Sequence, residues 1–112
     1  MTENDFRKLA LSFPDTEERS HMAHPDFRAG GKIFATLRAP TTGFGMVKLT
    51  PDQQEMFVKL APDAFRPVKG GWGVKGATNV ILKNAKKKIT KEALLVAWTN
   101  VTSPKGRGKA SR

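Results

Sequence analysis

Residues 26–38 read Asp26-Phe27-Arg28-Ala29-Gly30-Gly31-Lys32-Ile33-Phe34-Ala35-Thr36-Leu37-Arg38. Two short runs, 26–29 and 32–38, flank a pair of glycines, the residues that enter positive φ without steric cost. A two-residue hairpin turn demands that conformation at its centre. The stretch therefore predicts two antiparallel strands joined at Gly30-Gly31. Phe44 to Leu49 is a third run of the same kind, so residues 16–49 read as strands connected by tight turns.

Before this region, Phe6, Leu9, Ala10 and Phe13 recur at helical spacing behind Thr2, a cap residue, with Glu3 and Asp5 at the positive end of the helix dipole. The pattern predicts a helix ending at Phe13, ahead of Pro14. After the region, Thr50-Pro51-Asp52-Gln53 combines a cap, a proline at the first helical position and a capping-box glutamine. That helix would turn Met56, Phe57, Leu60 and Ala61 to the core and stop at Pro62. Phe65–Val68 and Gly76–Lys83 read as a further hairpin around glycine-rich residues 70–76. A last helix, Thr90 to Val101, would bury Leu94, Leu95, Trp98 and Val101. This order of elements predicts an α+β fold, an antiparallel β-sheet with helices packed on one face. Residues 1–102 read as a single domain, and 103–112 as a basic, disordered tail without apolar anchors.

The chain has 112 residues, no cysteine and a formal charge of +10. Disulfides, thiolate metal sites and a cysteine nucleophile are thereby excluded. No run approaches the ~18 apolar residues of a membrane span, and residues 1–10 lack a signal-peptide pattern, which leads us to expect a soluble, cytoplasmic protein. Charge is unevenly placed: residues 1–26 carry a net of −3, so the remainder carries +13, and beyond Ala64 the one acid is Glu92. Such asymmetry points to a polyanionic partner.

Three groups invite chemical readings. His21 and His24 lie near Glu17, Glu18 and Asp26, but an odd spacing along one strand sends two side chains to opposite faces, and a zinc site needs three convergent ligands. No metal or other cofactor is expected. Glu17 and Glu18 diverge for the same reason and offer no acid–base pair, so no catalytic residue is named. Gly71-Trp72-Gly73-Val74-Lys75-Gly76 matches G-x-G-x-x-G, yet strand-like residues follow where a dinucleotide site needs a helix. A flexible turn is the plainer reading, with a phosphate-binding tip at Lys69 and Lys75 the other. Trp72 is either a core plug or an exposed platform for a base. Lys83, Lys86, Lys87, Lys88 and Lys91 form the densest cationic cluster, either a solvated loop or a phosphate contact.

Leu9-Ala10-Leu11-Ser12-Phe13-Pro14, Glu17-Glu18, His24-Pro25-Asp26-Phe27-Arg28, Gly30 to Ala35, Phe65-Arg66-Pro67-Val68 and Trp72-Gly73 together resemble the MmcQ/YjbR family across Arg7 to Val101. The resemblance implies a frataxin-like (CyaY-like) α+β domain and a DNA-binding role in which two β-hairpins act as paired wings. Ala77 departs from the tryptophan that many relatives carry there.

Charge and resemblance lead to one expectation: a non-enzymatic nucleic-acid-binding domain, for DNA foremost. It would grip the phosphate backbone with the hairpins and with Lys83, Lys86, Lys87, Lys88 and Lys91, with Arg28, Lys32, Lys69 and Lys75 as secondary candidates and Trp72 as a candidate base platform. The alternative is a protein-interaction or small-ligand module that uses the glycine-rich turn and Trp72. A membrane partner is not expected, and a frataxin-like iron function is disfavoured by the cationic surface. Ending the chain at Ser103 is expected to leave the thermal midpoint unchanged while weakening nucleic-acid affinity, because the tail bases Lys105, Arg107, Lys109 and Arg112 are removed. A fall in the midpoint would show instead that the tail docks on the domain.

Overall fold

The computed structural model describes residues 1–21, 24–37 and 43–103. Its elements run α1 (Glu3–Ala10), β1 (Thr16–His21), β2 (His24–Ala29), β3 (Lys32–Leu37), β4 (Phe44–Lys48), α2 (Pro51–Leu60), β5 (Phe65–Pro67), α3 (Gly71–Val74), β6 (Ala77–Ile81) and α4 (Lys87–Thr102). The six strands form one antiparallel sheet in the order β1-β2-β3-β4-β6-β5. The α+β expectation holds. Residues 104–112 of the expected tail and Arg38 of the expected strand lie outside the described residues.

Alternation of side chains sorts the sheet into two faces. Phe27, Ala35, Leu37, Val47 and Val80 are buried beneath Phe6 and Ala10 of α1, Phe57 of α2 and Ala93, Leu94 and Ala97 of α4. Between Phe27 and Arg28 the register slips by one residue, pairing Phe27 with Ala35 but Arg28 with Ile33. This bulge sends both Phe34 and Ala35 into the core. Gly45 lets α1 seat closely, because a Cβ there would stand 2.8 Å from the Phe6 ring.

Local signals held where local chemistry decides. Gly30 and Gly31 have φ of 61° and 81° and join β2 to β3. Thr2 with Asp5, and Thr50 with Gln53, each form a reciprocal capping box. The Thr2 amide, aided by Lys87, holds the Asp5 carboxyl below its ordinary 3.8.

Several expectations are corrected. Helix α1 stops at Ala10, three residues early, and Phe13 instead stacks on Trp98 at 5.9 Å while the Trp98 indole donates to the Pro14 carbonyl. Met56 and Leu60 are 47% and 63% exposed, leaving Phe57 as the buried residue of α2, and Leu95 also faces outward. Strand β6 ends at Ile81, short of Lys83. Helix α4 starts at Lys87, one turn ahead of Thr90, because Ala85 and Thr90 are buried and anchor it there.

The glycine-rich segment is a one-turn helix, not a flexible turn. A Cβ at Gly73 would overlap the Val68 carbonyl, and one at Gly76, where φ is 115°, would overlap the Leu49 carbonyl. The Gln54 amide donates to the Gly73 and Ala77 carbonyls at 3.0 Å each, clamping α3 to α2 and β6. Gly73 and Gly76 thus serve close packing. Thr50→Ala is expected to cost about 1 kcal/mol in urea unfolding by removal of the cap. Gly76→Ala should cost more, since it meets both a positive φ and the carbonyl; equal costs would contradict the packing described.

Candidate functional site

Among the described residues, no helix layer covers the face of the sheet turned away from α1, α2 and α4. One row crosses it strand by strand: Arg19, Asp26, Thr36, Met46, Asn79 and Arg66 are successive register partners. A cleft of about 370 Å³ lies on this face, lined by His24, Asp26, Ile33, Thr36, Met46, Val68, Trp72 and Ala77. Its floor is mainly apolar. Trp72 projects from α3 as its wall and is 67% exposed, which settles the choice between plug and platform toward exposure.

Asp26 is only 2% exposed, and Arg28 neutralises it with two hydrogen bonds, Nε to Oδ1 at 2.9 Å and Nη2 to Oδ2 at 3.2 Å. The hydrogen bonds to Asp26 raise the pKa of the Arg28 guanidinium above its already high ordinary value. Arg28 is therefore held by a carboxylate, which weakens it as a phosphate ligand. Among the described residues, three other side-chain polar atoms are buried without a hydrogen-bond partner: His24 Nδ1 and Asn79 Oδ1, both on β-strands of the sheet, and Thr90 Oγ1 in α4.

Antiparallel register fixes which connections share an end of the sheet. Lys32 begins β3 and Lys48 ends β4; Lys48 pairs with Ala77 at the start of β6, and Pro67 at the end of β5 pairs with Thr78. The Gly30-Gly31 turn and the segment 68–76 therefore leave from the same end, and with them Lys32, Lys48, Lys69 and Lys75. All four are exposed, and none is in an ion pair among the described residues. The two hairpins flank β4, about 14 Å apart at ~4.8 Å per strand.

Lys83, Lys86, Lys87, Lys88 and Lys91 occupy the opposite end. They follow β6, about 17 Å away by the length of that strand. Lys86 caps α4 without a side-chain cap bond, and Lys87 and Lys88 sit in its first turn, where no acid offsets the helix dipole. Lys87 reaches Asp5 at 3.8 Å, while Lys86 and Lys88 border a cleft beside α2 with Glu92. The structure brings Lys32, Lys69, Trp72 and Lys75 together and separates them from this cluster. Ser103, from which the tail departs, is carried about 24 Å from Lys86 by sixteen residues of helix. It lies at the hairpin end, where Asn100 donates to the Lys48 carbonyl.

Sequence reasoning missed Lys48, Arg66, Asn79 and His24 as members of these surfaces. Alternation along Phe44 to Lys48 would have put Met46 and Lys48 on the open face. His21 and His24 stand opposite each other across the β1–β2 turn, as register partners and not residues of one strand. No group of three or more His, Cys, Asp or Glu converges among the described residues. Nor is any helix among them long and apolar enough to cross a membrane. Arg28→Gln is expected to lower the urea midpoint by stranding a buried carboxylate, whereas Lys32→Gln and Lys75→Gln leave it in place. An unmoved midpoint in Arg28→Gln would mean the pair contributes nothing to the fold.

Comparison with known proteins agrees with the fold. The crystal structure of Deinococcus radiodurans protein DR2400, a DUF419 domain, superimposes with a TM-score of 0.74 at 19% identity, covering 91% of this chain and 79% of that one. At that identity the likeness speaks for the fold. Among curated proteins, none matches. The YjbR family model matches residues 11–100, from β1 through most of α4, and the chain accordingly belongs to the YjbR family.

Proposed function

We propose that this domain binds nucleic acid, DNA foremost, by gripping the phosphate backbone with the hairpin end of its sheet. The observation that carries this reading is the gathering of Lys32, Lys48, Lys69 and Lys75 at one end, exposed and in no ion pair among the described residues, beside an exposed tryptophan. They come from three places, the start of β3, the end of β4 and the β5–β6 connection, which holds both Lys69 and Lys75. Lysines that meet a phosphate backbone release condensed counterions, which makes affinity steep in salt and indifferent to sequence. Ser103, the last described residue, lies at the same end, and the sequence beyond it carries four more bases. Lys83, Lys86, Lys88 and Lys91 form a second, separate patch whose contribution is smaller in this reading, because Lys87 is drawn to Asp5 and Glu92 lies beside Lys88. The domain has no catalytic role in this reading.

Fluorescence anisotropy with a labelled duplex, repeated across salt concentrations, tests the assignment. The triple variant K48Q/K69Q/K75Q is expected to reduce the slope of log affinity against log salt by about 0.9 for each phosphate that is no longer neutralised, equally on unrelated duplexes. K86Q/K87Q/K88Q should reduce it less. If the second variant weakens binding more than the first, the binding surface is the start of α4. If the parent binds no duplex or single strand at low salt, the protein-interaction reading takes its place.

A further inference from the structure

The open-face cleft has features that a phosphate grip does not use. Lysines alone attract phosphate, yet here an apolar floor of Ile33, Met46, Val68 and Ala77 adjoins them. Trp72 divides two spaces, since it walls the cleft on one side and on the other borders a hollow of about 200 Å³ with Gly71 and Lys75. Asp26, the carboxylate among the described lining residues, is already neutralised by Arg28. His24 lines the cleft, and its buried Nδ1 has no hydrogen-bond partner among the described residues. Buried polar atoms without partners are costly and rare in folded proteins, so their pairing with a ligand would recover that cost.

We propose that the cleft is a seat for one unpaired nucleobase, stacked on Trp72 and hydrogen-bonded by His24, with its flanking phosphate on Lys75 and Lys69. This rests on the nucleic-acid reading and refines it from backbone affinity to a preference for single strands. The size fits, because small-molecule sites are concave, mostly apolar spaces of about 300–1,000 Å³ with a few polar groups. The chemistry fits as well. Every base has a π-face for an exposed indole and an edge of donors and acceptors, and each is joined to an anion that the lysines at the rim would hold. A neutral aromatic ligand would leave Lys69 and Lys75 unused, and a free phosphate would leave the apolar floor unused.

The test compares two single strands with the same number of phosphates, an oligothymidylate and its fully abasic counterpart, by anisotropy at fixed salt. The parent protein is expected to bind the base-bearing strand about ten-fold more tightly, the scale of one base stacked on one aromatic ring. Trp72→Ala should remove that preference while leaving affinity for the abasic strand unchanged, and Trp72→Phe should retain most of it. Trp72 is exposed, so the variants are expected to fold, and circular dichroism checks that they do. Equal affinity of the parent for both strands overturns the base seat and leaves the backbone reading standing. No affinity for either strand overturns both. A preference that survives Trp72→Ala overturns the assignment to this cleft.

Discussion

An antiparallel sheet has two ends, and its register decides which connections share one. Here the decisive strand is β4, which pairs with β3 on one side and β6 on the other. Because Ala35 opposes Val47 and Lys48 opposes Ala77, the Gly30-Gly31 turn and the connection carrying α3 emerge side by side. The lysines of those connections become neighbours through that pairing alone. Nothing in their sequence spacing brings Lys32 near Lys75.

The same register leaves one face of the sheet uncovered. Helices α1, α2 and α4 bury Phe27, Leu37, Val47 and Val80, and Phe6 reaches the sheet because position 45 is glycine. Residues of opposite parity then form a continuous polar and apolar row that no helix layer among the described residues covers. Helix α3 is too short to cover that row, and it contributes only a wall. Its position is enforced by three contacts: the close approaches at Gly73 and Gly76, and the double hydrogen bond from Gln54. A tryptophan on a rigidly held turn gives up little freedom when a ring stacks on it, which suits a binding platform.

The parts of the molecule fixed by neighbouring residues were legible in the sequence. The glycine pair, the Thr50 capping box, the apolar runs of β2 to β4 and the α+β order all follow from local rules. The lysine cluster at 83–91 was legible as charge but not as position. Lysine is a good helix former, and burial of Thr90 draws the helix start back into the cluster despite the unfavourable dipole. Trp72 and the Asp26–Arg28 pair were unreadable for another reason. Whether an aromatic faces a core or a groove, and whether a cation is already matched, depends on register across strands far apart in the chain.

Two cationic ends compete for nucleic acid in this molecule, and the proposed one is the hairpin end of the sheet, not the start of α4. Backbone amide chemical shifts of the ¹⁵N-labelled protein, followed as a single-stranded oligonucleotide is added, locate the binding surface residue by residue. The expected result is progressive movement of Lys32, Lys48, Lys69, Lys75 and the Trp72 indole, with residues 83–91 nearly still. Movement concentrated in residues 83–91, with Trp72 unmoved, would contradict it.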